Sequence, residues 1–234
     1  STLTINVEAM KPVLSVIRKV MSLGVSPFIM RATESLISVV LNSGLQRYGG
    51  DIYVGSLTIM QSVMQMYAAP LGGFTQGVQP IISYNFGAGN FDRVKKLYRR
   101  MIAISFAFSA GATILVLAFP RFFAGMFTND ENLIALVGEM MPVFMCGMLV
   151  FGLQQGIQPT FLALGQAKIS LFIAVFRKVI LLVPLAIILP FRFGVMGIYY
   201  AEPVSDVLSA ATAVILFLLN IKKIVSKETL ENIV

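Results

Sequence analysis

The side chains best placed for chemistry are acids and amides set in apolar surroundings. Glu34 stands mid-way along an apolar run, with Arg31 one helical turn before it. The i, i+3 spacing puts both on one helix face, where they can pair. A carboxylate in hydrocarbon costs about 3 kcal/mol and needs a reason. Glu34 therefore reads as a proton or cation site, or as the counter-charge for a cationic ligand; the alternative is a structural pair with Arg31 that fixes helix packing. Glu202 and Asp206 follow at i, i+4 with Pro203 between them. Two carboxylates on one face can share a proton; being near the outer edge of their run, they can equally form a solvated helix end. Glu139 lies nearer still to a loop and reads as solvated. The pairs Gln61/Gln65, Gln76/Gln79 and Gln155/Gln158 stack one turn apart. Such amides either join helices or line a polar cavity. Met60 and Met64, and Met141, Met145 and Met148, form stripes suited to adaptable apolar contact or to packing.

Two of these glutamine pairs, Gln76/Gln79 and Gln155/Gln158, belong to a phrase that occurs twice. Gly73-Phe-Thr-Gln-Gly-Val-Gln-Pro80 returns as Gly152-Leu-Gln-Gln-Gly-Ile-Gln-Pro159, an offset of 79 residues, and each copy is followed by a glycine, Gly87 or Gly165, and by a basic pair, Arg99-Arg100 or Arg177-Lys178. Two polar, glycine-broken helices in an apolar chain suggest a copied hairpin and a site within a membrane. The plainer reading is a kink used twice for packing. Pro27, Pro70, Pro80 and Pro159 are the expected kinks.

The chain has 234 residues, 57% hydrophobic and 12% charged, about half the charge of a soluble domain. That balance calls for an all-α membrane protein. Six spans are expected, at about 23–45, 52–86, 101–119, 133–164, 169–190 and 197–220, after a linker and amphipathic interfacial helix over 1–22 and before a charged cytoplasmic tail over 221–234. With a cytoplasmic N-terminus, the inside segments hold Lys11, Arg18, Lys19, Arg93, Lys95, Lys96, Arg99, Arg100, Lys168, Arg177, Lys178, Lys222, Lys223 and Lys227. The outside loops hold only Arg47, Arg121 and Arg192, as the positive-inside rule requires. Tyr48, Tyr53, Tyr98, Tyr199 and Tyr200 fall near span ends and suit an aromatic belt. The basic stretch 93–100 lies between two spans, which favours anionic lipid headgroups over nucleic acid. There is no histidine, a single cysteine, Cys146, and no nucleotide-binding, zinc or hydrolase motif, so neither an enzyme nor a cofactor is expected. The polar lead-in from Ser1 reads as a piece of a longer polypeptide.

Several segments together resemble one family. Gly73 to Val94 resembles the end of the second helix of a lobe in the multidrug and toxic compound extrusion (MATE) transporters, and Gln154 to Lys168 its fourth-helix counterpart. Leu23-Gly-Val-Ser-Pro-Phe28 is similar to the entry of the family's seventh helix, and Arg177 with Gly194-Val-Met-Gly-Ile198 to its eleventh-to-twelfth region. The resemblance implies one six-helix lobe of a twelve-helix transporter, helices seven to twelve, whose partner is a missing N-terminal lobe. It implies export of cationic or amphipathic compounds by alternating access, driven by H+ or Na+, from a multi-pass position in a bacterial cytoplasmic membrane. Glu34 matches the seventh-helix acid of the family's C-lobe site; where some members carry a tenth-helix acid, Gln154 and Gln155 stand here, which weighs against a C-lobe sodium site. The rival readings are a lipid-linked oligosaccharide or polysaccharide flippase, which needs a basic cavity where only Arg31 is a central cation, and a six-helix scaffold with no transport role.

Overall fold

The computed structural model describes residues 14–225, with side chains from residue 33 onward. The lead-in 1–13, the tail from 226 and the side chains of Pro27 and Arg31 lie outside the described residues. Ten α-helical pieces follow in order: α1 (Leu14–Gly49), α2 (Asp51–Gly87), α3 (Phe91–Ala118), α4 (Pro120–Gly125), α5 (Glu131–Met145), α6 (Met148–Ala163), α7 (Ala167–Val175), α8 (Val183–Ile188), α9 (Pro190–Phe193) and α10 (Val195–Ile224), with a π-helical stretch, Phe176–Leu182, joining α7 to α8. They assemble into six rods: α1, α2, α3, the bent pair α5–α6, the run α7 to α9, and α10. Of these, α3, Ala167–Phe193 and α10 are long and apolar enough to cross a membrane alone, and α5–α6 does so as a bent pair. α1 and α2, at 36 and 37 residues, are long enough but more polar. Outward faces are greasy where lipid would lie, as at Ile114, Ile188, Ile215, Leu218 and Leu219.

The rods pack chiefly as α3 on α6, α6 on α10, and α2 on both α3 and α6. Small residues set these approaches. A Cβ at Gly152 would come within 2.5 Å of the Ser105 carbonyl oxygen, and one at Gly156 within 2.8 Å of Ile102 Cα. The second phrase is thus a G-x-x-x-G face pressed on α3. In the first phrase, Cβ atoms at Gly73 and Gly77 would meet nothing within 4 Å, so the two copies do different work. Both helices end alike, with Gly89 and Gly165 at positive φ and the next amides, Asn90 and Gln166, bonding back to the Asn85 and Phe161 carbonyls. Ser83 Oγ donates to the Ala163 carbonyl at 2.9 Å and joins the two ends.

The expected boundaries and kinks change in three places. α1 runs unbroken from Leu14, so no separate interfacial helix precedes the first span within the described residues, and its backbone stays helical through Pro27. α2 passes Pro70 and Pro80, and α6 passes Pro159, as continuous helices. A proline removes one backbone bond, and neighbouring side chains make up the difference: the Thr160 hydroxyl donates to the Gly156 carbonyl at 2.7 Å. Span four bends by 50° at Cys146–Gly147, a break that no proline marks. There the chain makes i→i+3 bonds, Leu149 to Cys146 and Val150 to Gly147. A Cβ at Gly147 would sit 2.5 Å from Pro203 Cα, so the bend lets α10 come against bare backbone.

Two apolar clusters occupy the two ends of the bundle. One gathers Leu41, Leu57, Met60, Phe144, Met148 and Tyr199; the other gathers Ile82, Tyr98, Met101, Phe161 and Ile221. Between them, on every rod but α1, lies a layer of buried polar groups: Thr75, Ser105, Ser109, Thr113, Gln154, Arg177, Glu202, Ser205, Asp206 and Ser209.

Candidate functional site

The polar layer opens on one side into a groove. A volume of about 440 Å³ is lined by Glu34, Ser38, Gln61, Met64, Gln65, Phe144, Arg177, Lys178, Leu182 and Glu202, among others. α1 and α2 supply one wall; the π-helical stretch and α10 supply the other. A larger surface basin of about 600 Å³, at Gly89–Lys95 and Val225, lies at one end of the bundle and holds none of these side chains.

The π-helical turn has a local cause. Pro184 offers no N–H to the Ile180 carbonyl four residues back, and its ring crowds that carbonyl. The widened turn over Phe176–Leu182 accommodates both. It also separates consecutive side chains by less than the ~100° of an α-helix. Arg177 and Lys178 consequently both reach the groove.

Arg177 is buried between two acids of α10. Its Nε donates to Asp206 Oδ1 at 2.7 Å, and its Nη2 donates to Glu202 Oε1 at 2.8 Å while lying 2.6 Å from Asp206 Oδ1. The guanidinium carbon sits 4.5 Å from the centre of the Phe151 ring, a favourable cation–π position. Asp206 is fully enclosed, and its Oδ2 has no hydrogen-bond partner. The Tyr67 hydroxyl is likewise buried without a hydrogen-bond partner among the described residues. Two carboxylates against one guanidinium leave one negative charge in excess, in a place where charge is expensive to hide.

The neighbouring Lys178 turns toward α1. Its Nζ lies 2.7 Å from Glu34 Oε1, with the Lys178 side chain 24% and the Glu34 side chain 44% exposed. Glu34 is therefore groove-facing and ion-paired across helices. The expected pairing with Arg31 involves a side chain outside the described residues.

Other expectations divide. Gln61, Met64 and Gln65 line the groove. Gln154 does not: it is buried and accepts from Ser209 Oγ at 2.7 Å, joining α6 to α10. Gln155 and Gln158 are part-buried on α6, away from the groove lining. Met60, Met141, Met145 and Met148 are core. Glu202 and Asp206 are not a solvated helix end. Arg177 is not a cytoplasmic charge but the centre of their cluster, and Lys178 goes with it into the groove. Arg31 is accordingly not the sole central cation. Nor do Tyr98 and Tyr199 belong to an aromatic belt. Both are buried, and the Tyr199 hydroxyl is 2.5 Å from Ser56 Oγ. Sequence reasoning missed Arg177 as a site residue because its partners lie 25 and 29 residues on. The available signal was its place eight or more residues inside an apolar span, too deep for a headgroup contact. Among the described residues, no group of three or more His, Cys, Asp or Glu side chains converges as a metal site.

The MatE family model matches residues 27–188 of this sequence. The chain belongs to the MatE family. It is a multi-pass integral membrane protein of a transporter family. It is 24% identical over 213 residues to the multidrug export protein MepA of Staphylococcus aureus strain MSSA476, a match covering 91% of this chain and 47% of that protein. The solved structure of the MATE multidrug transporter DinF-BH is 32% identical, with a TM-score of 0.75 over 88% of this chain and 46% of that one. A crystal structure of MATE in complex with MaL6 gives a TM-score of 0.80 at 16% identity, covering 96% of this chain and 51% of that one, and shows the same fold. The chain spans about half the length of the curated MATE relatives it matches.

Proposed function

We propose that this chain is the C-terminal lobe of an ion-coupled multidrug exporter, working by alternating access with an N-terminal lobe of the same polypeptide in a bacterial cytoplasmic membrane, both termini facing the cytoplasm. The groove between α1, α2 and α10 faces that second lobe. Glu34 attracts a cationic or amphipathic compound, while Gln61, Met64, Gln65 and Phe144 give it adaptable contacts. The coupling ion is H+ or Na+.

The observation that carries this reading is a half-exposed acid, Glu34, at a groove where three carboxyl groups, Glu34, Glu202 and Asp206, stand against two basic side chains, Arg177 and Lys178. The same count disfavours an anionic lipid-linked cargo, because each cation there already has an acid on it. Support also comes from the relatives named as multidrug exporters. The test is Glu34→Gln in the full-length polypeptide: efflux of a fluorescent lipophilic cation from vesicles should fall by about tenfold or more, as expected for losing a charge-assisted contact, while membrane insertion is unchanged. Wild-type efflux in that variant removes Glu34 from the mechanism.

A further inference from the structure

The five charged groups form one connected set across three rods. Arg177 and Lys178 are consecutive, yet they hold acids of different helices: α10 on one side, α1 on the other. Lys178 is part-exposed and lines the same groove as Glu202. The long, flexible lysine stem lets its ammonium travel, whereas the guanidinium of Arg177 is fixed by three close contacts and an aromatic face.

We propose that Lys178 is a tethered counter-cation that couples ligand binding to proton release. A cationic ligand takes the place of the ammonium at Glu34. Lys178 swings to the Glu202–Asp206 pair, and its arrival there expels the proton that the pair holds. This rests on the reading of the chain as a lobe of a cation exporter, and it supplies that reading with an exchange step.

Among the described charges, the sum balances at each stage. Before binding, Glu34 is neutralised by Lys178, and the two buried carboxylates by Arg177 and one shared proton. After binding, Glu34 is neutralised by the ligand, and both carboxylates, now ionised, by Arg177 and Lys178. One carboxylic O–H bond breaks and its proton leaves through the groove; Lys178 stays an ammonium throughout. One cation enters for each proton that departs, so no uncompensated charge is left buried. The groups facing the carboxylate pair fit this account. The run α7 to α9 presents Arg177 and Lys178, and α1 presents Glu34. α2 carries the buried Tyr67 hydroxyl, and the α5–α6 bend, with Cys146 next to Gly147, lies against Asp206, whose Cβ would be 2.9 Å from a Cβ placed at Gly147. α3 contributes Ser105, Ser109 and Thr113, which are hydroxyls only.

The test is calorimetric titration of the purified full-length polypeptide with tetraphenylphosphonium, repeated in buffers of different ionisation enthalpy to count protons. Wild type should release about one proton per ligand bound, as linkage of the two sites requires. Glu202→Gln leaves one carboxylate for one guanidinium, so it should bind the cation and release roughly none. Lys178→Gln removes the built-in competitor, so it should bind at least about threefold more tightly. Binding by wild type without proton release overturns the proposal while leaving the exporter reading standing, and needs no variant to fold. Undiminished release from Glu202→Gln, which would mark Glu34 as the proton's source, also overturns it, as does unchanged affinity in Lys178→Gln. Failure of wild type to bind tetraphenylphosphonium at all counts against the exporter reading itself.

Discussion

Arg177 has more than one task, and its removal should be felt first as lost stability. Its guanidinium is the only described group in hydrogen-bonding contact with both Glu202 and Asp206. Arg177→Met in the full-length polypeptide would leave two enclosed acids facing each other without a cation. Breaking a buried ion pair from one side typically costs about 3–5 kcal/mol, so the variant should lose much of its folded yield or unfold well below wild type in detergent. Adding Glu202→Gln and Asp206→Asn to it should restore most of that loss, because neutral amides need no counter-charge. A triple variant as unstable as Arg177→Met alone would mean that the arginine acts through its packing on Phe151 and not through charge. Lys178 differs. It is part-exposed, and its pair with Glu34 is open to the groove, so Lys178→Gln should leave stability within about 1 kcal/mol of wild type. Equal destabilisation by the two substitutions would erase this distinction between a fixed and a movable cation.

At the scale of elements, the repeated phrase was visible in the sequence but its division of labour was not. Identical spacing puts Gly152 and Gly156 against the backbone of α3, and leaves Gly73 and Gly77 with open space. Gly156→Leu should therefore separate α6 from α3 at a cost of about 1–3 kcal/mol or more, read as lower thermal stability in detergent. Gly77→Ala should be neutral to within about 0.5 kcal/mol within this lobe; equal sensitivity at the two positions would restore a common structural role for the phrase. The same limit explains most of what the sequence left hidden. An all-helical membrane fold could be read from the apolar runs, because helical character is set by residues a few positions apart. The bend at Cys146–Gly147 could not, because it depends on Pro203 of another helix meeting a bare glycine. Prolines 70, 80 and 159 looked like kinks and are carried within continuous helices. Glu34, Gln61 and Gln65 stood out by their polarity in apolar runs, and Met64 by its stripe with Met60; all four line the groove. Gln154 has the same local signature and is instead bonded to Ser209. Nothing in its own helix distinguishes it from them; only the facing serine does.

For the whole molecule, the distribution of polarity decides which surface meets lipid and which meets water or a second lobe. Apolar clusters close the two ends, and a polar layer crosses the middle. In hydrocarbon such a layer must be enclosed or opened onto water, since unpaired polar groups there are costly. Among the described residues, the bundle encloses it on the α3 and α6 sides and opens it at the groove, where α1 and α2, the two more polar rods, face α10 and the π-helical stretch. The outer face of α10 is the opposite case: Ile215, Leu218 and Leu219 are strongly exposed and wholly apolar. This asymmetry is measurable in the full-length polypeptide with Cys146 replaced by alanine and one spin label added at a time. Labels at Ile215 and Leu219 should collide readily with oxygen, which concentrates in lipid, and little with a water-soluble nickel chelate. A label at Gln65, exposed on the groove side of α2, should show the reverse whenever the groove is open. An added cationic ligand should then reduce the nickel collisions at Gln65 and leave those at Ile215 unchanged. Oxygen-dominated collisions at Gln65 would place the groove wall in lipid, and with Glu34 on that same wall and Lys178 paired to it from the wall opposite, a transport role for this ion pair would lose its physical basis.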